Sequence, residues 1–144
     1  MAAPLFLLAP PRSYTSLINA MLGQHPQAFG LPELCLFNVE VLKELWIRTS
    51  DEMSNDAKTR QGLLRAVAEI YGGEQTAATI RMAVHWAAAR EDVGTALVYR
   101  ELVERIHPLV AVEKSPSYTI DIGRMRAMHR AFPAEIVVRR GDPQ

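Results

Sequence analysis

Leu5-Phe6-Leu7-Leu8-Ala9 is an unbroken apolar run that Pro10 and Pro11 stop, with Arg12-Ser13-Tyr14-Thr15-Ser16 immediately after it. A continuous run with no polar alternation is what a strand covered on both faces requires, which is the state of a central parallel strand. Ser13 and Thr15 are helix-start residues, and Leu17, Ile18, Met21 and Leu22 follow at helical spacing. Gly23 and His25-Pro26 end that helix. The chain therefore opens as strand, tight turn, helix. The apolar run is too short for a signal-peptide core or a membrane span, and no basic segment precedes it.

The rest of the chain repeats the theme at longer range. Ala28–Leu31 reads as a short second strand or extended segment that ends at Pro32-Glu33. Leu34, Phe37, Val41, Leu42 and Leu45 share one face of a helix running from Leu34 to about Ile47. Residues 50–60 are polar and read as a loop or a frayed helix start. Leu63, Leu64, Val67 and Ile70 mark a helix that Gly72-Gly73 ends, and two more helices fall near 75–90 and 95–106. Leu109–Val112 is a second central strand, with Lys114–Tyr118 a loop at its C-terminal end. Ile122, Met125, Met128 and Phe132 form a last helical stripe, and Ile136–Val138 a last strand leading into Arg139-Arg140. The pattern is one α/β domain over residues 1–144, with parallel strands and a helical block inserted at about 34–107.

Charge narrows the function. Lys plus Arg and Asp plus Glu both number 16, so the net charge is zero, and no global field draws nucleic acid or an anionic membrane. Any anion must be held by a local site. Cys35 is the single cysteine, which excludes an internal disulfide and fits a reducing cytoplasm. The histidines show no metal spacing and no triad partner, so no metal is expected.

Ligands of open parallel sheets bind beyond the C-terminal ends of the strands. Three polar clusters occupy such ends: Arg12–Ser16, Lys114-Ser115 and Arg139-Arg140. In the first, a turn feeding a helix offers free amides and the positive end of the helix dipole. Ser13, Thr15 and Ser16 add hydroxyls, and Arg12 adds a forked cation. The plainer reading is an ordinary helix start with a solvated arginine. For Lys114 the plainer reading is a surface lysine paired with Glu113. For Glu33 it is a carboxylate that favours a helix N-terminus. Arg124, Arg126 and Arg130 make a cationic helix face, most simply a solvated one.

Pro11-Arg12-Ser13-Tyr14-Thr15-Ser16-Leu17 resembles the 5′-phosphosulfate loop of sulfotransferases, P-R-S-G-T-[ST]-L. Glu113-Lys114-Ser115-Pro116-Ser117-Tyr118 resembles that family's [DE]-K-[ST]-P-x-Y element. Phe132-Pro133 with Ile136–Arg139 resembles the segment supplying a 3′-phosphate ligand. Leu31-Pro32-Glu33-Leu34 and the helical insert are most similar to sulfotransferase domains embedded in bacterial polyketide synthases. The resemblance implies a three-layer, P-loop-like α/β fold with a parallel sheet, and sulfonate transfer from 3′-phosphoadenosine 5′-phosphosulfate to an alcohol, small or carrier-protein-bound, such as a β-hydroxyacyl chain. It implies that Arg12, Ser13, Tyr14, Thr15 and Ser16 hold the 5′-phosphosulfate. It further implies that Lys114 assists the leaving group, that Glu33 or a nearby histidine is the base, with Glu33 the candidate, and that Arg139 or Arg140 grips the 3′-phosphate. Tyr14 stands where the loop has glycine, and a positive φ there would strain it. The family continues into a further half with a serine ligand, so the chain is expected to be C-terminally incomplete. The alternatives are a degenerate nucleotide-binding domain or another P-loop-like phosphotransferase; the Gly-Lys-[Ser/Thr] of the latter is missing.

Overall fold

A computed structural model describes residues 3–10, 12–47, 57–133 and 136–138. Four strands, β1 (Leu5–Leu8), β2 (Ala28–Gly30), β3 (Val110–Lys114) and β4 (Ile136–Val138), form one parallel sheet in the order β2-β3-β1-β4. β1 lies inside it, pairing Leu5 with Val112 and Leu7 with Lys114 on one side, and Phe6 with Ile136 on the other. This is the covered position that its unbroken apolar run demands.

Parallel strands need crossovers, and helices provide them. α1 (Thr15–Gly23) joins β1 to β2, and α6 (Ile122–Ala131) joins β3 to β4. Between β2 and β3 lies the inserted block: α2 (Leu42–Ile47), α3 (Ala57–Gly72), α4 (Ala77–Ala88) and α5 (Thr95–Ile106). α5 buries Tyr99, Leu102, Val103 and Ile106, the stripe that its periodicity predicts, and Val98 besides. Strand alternation splits the core into two faces. Phe6, Leu8 and Ala111 join the large core cluster with Phe37, Tyr99 and Phe132. Tyr99 anchors that cluster, with ring centroids 5.4 Å from Phe6, 5.5 Å from Phe37 and 5.1 Å from Phe132. Each such aromatic pair contributes about 0.5–1.5 kcal/mol beyond its burial. No described helix is long and apolar enough to cross a membrane.

Three sequence expectations need correction. The span from Leu34 to Ile47 is not one helix: a 3₁₀ turn at Leu36–Asn38 precedes an extended Val39, and α2 begins only at Leu42. The cause is that side chains distant in the sequence take the backbone groups a helix would use. The Leu34 and Cys35 amides are taken by side chains of the β3 end, and the Thr95 hydroxyl donates to Val39 O at 2.7 Å. Secondly, β3 runs on to Lys114, because Leu7 of β1 still pairs there; Lys114 is a strand residue and not a loop residue. Thirdly, Leu17 and Met21 of the α1 stripe are 60% and 66% exposed, uncovered by any described element. Within the polar 50–60 stretch, residues 57–60 are helical and open α3; 50–56 lie outside the described residues.

Candidate functional site

The turn after β1 is built against its own stereochemistry. Arg12 and Tyr14 both lie in the left-handed region, at φ 63° and 56°. For a residue with a Cβ this costs roughly 1–2 kcal/mol each. The strain foreseen for Tyr14 is present. Tyr14 is also the residue that starts α1, and its side chain makes no capping hydrogen bond. Its carbonyl accepts from the Leu17 and Ile18 amides at 3.1 and 3.2 Å, which winds the first turn of the helix. Ser13 and Thr15 are buried, whereas Arg12, Tyr14 and Ser16 are exposed. An opening with backbone strain, a positive dipole end and nearby hydroxyls is suited to an anion.

Lys114 is 7% exposed. As the last residue of β3 it shares the Val112 face, which turns it towards α1. Its Nζ donates to Ser16 Oγ at 3.0 Å and pairs with the Glu33 carboxylate. A buried ammonium needs such compensation, since desolvating an unpaired charge costs several kcal/mol. The partner is Glu33, 81 residues away, and not its neighbour Glu113. Glu33 has a half-exposed side chain. A cleft of about 420 Å³ opens beside the pair, with Ser16, Asn19, Glu33, Arg65 and Lys114 on its walls.

The residue that sequence reasoning undervalued is Glu113. Paired with Phe6 in register, it turns to the opposite face from Lys114, into the aromatic core. It is 1% exposed. Its Oε1 accepts from Leu34 N at 3.3 Å, from Tyr118 Oη at 3.1 Å and from the Ser115 hydroxyl. Among the described residues its Oε2 has no partner within hydrogen-bond distance, and neither does the Tyr99 hydroxyl. Burial pushes the Glu113 carboxyl up to about 7, against the downward pull of these donors. Burial likewise pushes the neighbouring Cys35 thiol up to about 11, leaving it a poor nucleophile. Strict alternation along β3 was the available signal for Glu113.

Of the sequence-predicted set, Ser16, Lys114 and Glu33 are brought into direct contact, and Arg12–Thr15 form the adjoining turn at the end of the neighbouring strand. β4 ends at Val138, level with Leu8. Arg139 and Arg140 lie outside the described residues.

A profile described as "Sulfotransferase family" matches residues 4–143. The chain belongs to the sulfotransferase family. Its fold is also that of two solved sulfotransferase domains. One, from the curacin biosynthetic pathway, superposes with a TM-score of 0.76 at 24% identity, over 97% of this chain and 46% of that one. The other, from the Synechococcus PCC 7002 olefin synthase, gives 0.75 at 23% identity, over 95% of this chain and 46% of that one. This sulfotransferase chain thus spans about half the length of each solved domain. No curated protein matches it. Among the described residues no group of three or more metal-ligating side chains occurs.

Proposed function

We propose that this chain carries the donor-binding and base-bearing part of an enzyme that moves a sulfonate group to an alcohol oxygen. The observation that carries this reading is the Lys114–Glu33 pair at the mouth of the β1–α1 turn: a buried cation and a half-exposed carboxylate sharing one cleft. The residues fit an anionic donor, since Lys114, the Ser16 hydroxyl and the open first turn of α1 are all positive or donating. When bound, 3′-phosphoadenosine 5′-phosphosulfate supplies an activated sulfonate.

The chain's own groups then have separable roles. Arg12, Ser13, Tyr14, Thr15 and Ser16 hold the 5′ end, through amides, hydroxyls and the guanidinium. Lys114 offsets negative charge where the leaving oxygen develops it. Glu33 accepts the proton of the acceptor hydroxyl, which requires hydrogen-bond reach of that oxygen. Arg139 or Arg140 grips the 3′-phosphate, a role that rests on the sequence resemblance. The acceptor is a hydroxyl compound, small or presented on a carrier protein as a β-hydroxyacyl chain. The carrier-bound alternative rests on the sequence resemblance.

A second reading, nucleotide binding without catalysis, is favoured by one observation: Tyr14, 72% exposed, holds a left-handed position where the family's loop has glycine. Calorimetry on the chain tests both. 3′-Phosphoadenosine 5′-phosphate should bind more tightly than AMP or ATP, and Arg12→Ala should weaken it. Equal affinities for 3′-phosphoadenosine 5′-phosphate and AMP would remove the assignment of a 3′-phosphate site.

A further inference from the structure

We propose that Glu113 and Ser115 are positioning residues, which hold Glu33 against Lys114 by clamping the backbone of the Leu31–Cys35 loop. The inference rests on the role given to Glu33 above. Leu31 is the last loop residue tied to the sheet: its amide donates to Val112 O at 2.8 Å, and its carbonyl accepts from Asn19 Nδ2 at 3.0 Å. Beyond it the loop has no ladder to join, yet it is buried, with Leu34 at 0% and Cys35 at 2% exposure. Buried amides need partners. Those partners are the side chains flanking Lys114: the Leu34 amide donates to Glu113 Oε1 at 3.3 Å, and the Cys35 amide to Ser115 Oγ at 3.1 Å. The Ser115 hydroxyl donates to the same Glu113 oxygen, which couples the two bonds.

A third grip comes from α3. Its Gly62 lies so close to the Glu33 carbonyl that an added Cβ would collide with it. Cys35 closes the loop in the left-handed region, at φ 52°. Glu33 is thereby held between a helix backbone on one side and two clamped amides on the other. Only its side-chain torsions are left to adjust. The Glu113-Lys114-Ser115 triplet works by alternation: the middle residue meets the Glu33 carboxylate, and the outer two hold the amides of Leu34 and Cys35 that follow Glu33.

Hydrogen exchange of the Leu34 and Cys35 amides reads the clamp without any need for turnover. In Glu113→Ala and Ser115→Ala, exchange at these amides should rise about tenfold, the worth of one net hydrogen bond. Cys35, the single cysteine, should react faster with iodoacetamide. Glu113→Gln, whose carbonyl still accepts from Leu34, should restore protection. Ser115→Ala removes the bonds to the Cys35 amide and to Glu113 but no buried volume of note, so it serves if Glu113→Ala does not fold. In the full-length protein, Ser115→Ala should lower turnover by roughly 10- to 100-fold through misplacement of Glu33, with nucleotide affinity unchanged. In a Glu33→Gln background it should lower turnover no further. Unchanged exchange at Leu34 and Cys35 in folded variants would overturn the clamp, as would losses that add to those of Glu33→Gln. Loosened amides beside a fully active Glu33→Gln would instead overturn the base role, and the positioning role with it.

Discussion

Glu33 and Glu113 meet the same strand end from opposite faces, and their circumstances are opposed. Glu33 is half-exposed, sits on a loop and pairs with a lysine. Glu113 is buried among aromatic rings, accepts three hydrogen bonds on one oxygen and pairs with no cation among the described residues. The difference is one residue of strand register, since side chains alternate along β3. It teaches that a carboxylate's role here follows from its face. On the cleft side, the carboxylate is balanced by the Lys114 ammonium. On the core side the acid keeps its proton to near-neutral pH and serves as a hydrogen-bond hub.

The largest expected effect breaks the cleft side. Lys114→Met should lower turnover on the order of 10²–10³-fold, the usual loss for one preorganised donor, and should weaken nucleotide binding as well. Steady-state kinetics and calorimetry separate the two losses. Unchanged values in both would return Lys114 to a structural ion pair.

The next effect sharpens the core side. Between pH 4.5 and about 7 the folded chain keeps a proton on Glu113 that the unfolded chain has released. Stability therefore falls as pH rises across that window, by about 3 kcal/mol in all from this group. The groups facing Glu113 are the Tyr99 and Tyr118 hydroxyls and the Cys35 thiol; all three are shifted upward, so they stay neutral there. Urea denaturation at pH 5 and pH 8 should show the loss in the wild type and a flatter profile in Glu113→Gln. Parallel profiles would mean that Glu113 is ionised in the folded state at both values.

A smaller effect concerns the turn. Tyr14→Gly should relieve the left-handed strain, for a net gain of roughly 0.5–1 kcal/mol after the entropy that glycine adds to the unfolded chain. A lower melting temperature would show instead that the exposed Tyr14 ring makes a contact worth more than the strain.

How much of this was legible follows the same division. The β1 run, the α5 stripe and the order of strands and helices are visible because burial writes periodicity into sequence. The Arg12–Ser16 turn and Lys114 were legible as strand-end residues. The 3₁₀ break after Leu34 was not, because its cause lies 79 and 80 residues away, in Glu113 and Ser115. The Lys114–Glu33 pairing was hidden for the same reason; adjacency suggested Glu113, which alternation sends to the other face. Gly62 gave no signal as a contact of Glu33, since a helical glycine does not name the backbone it admits.

Glu33→Gln in the full-length protein tests the central claim most directly. Gln keeps the shape and can still accept a hydrogen bond from Lys114, but it cannot take the acceptor proton. Turnover should fall by about 10²–10⁴-fold, the range for general-base catalysis, while affinity for 3′-phosphoadenosine 5′-phosphate stays nearly unchanged. Near-normal turnover would contradict the account and leave Glu33 only as the counter-ion of Lys114.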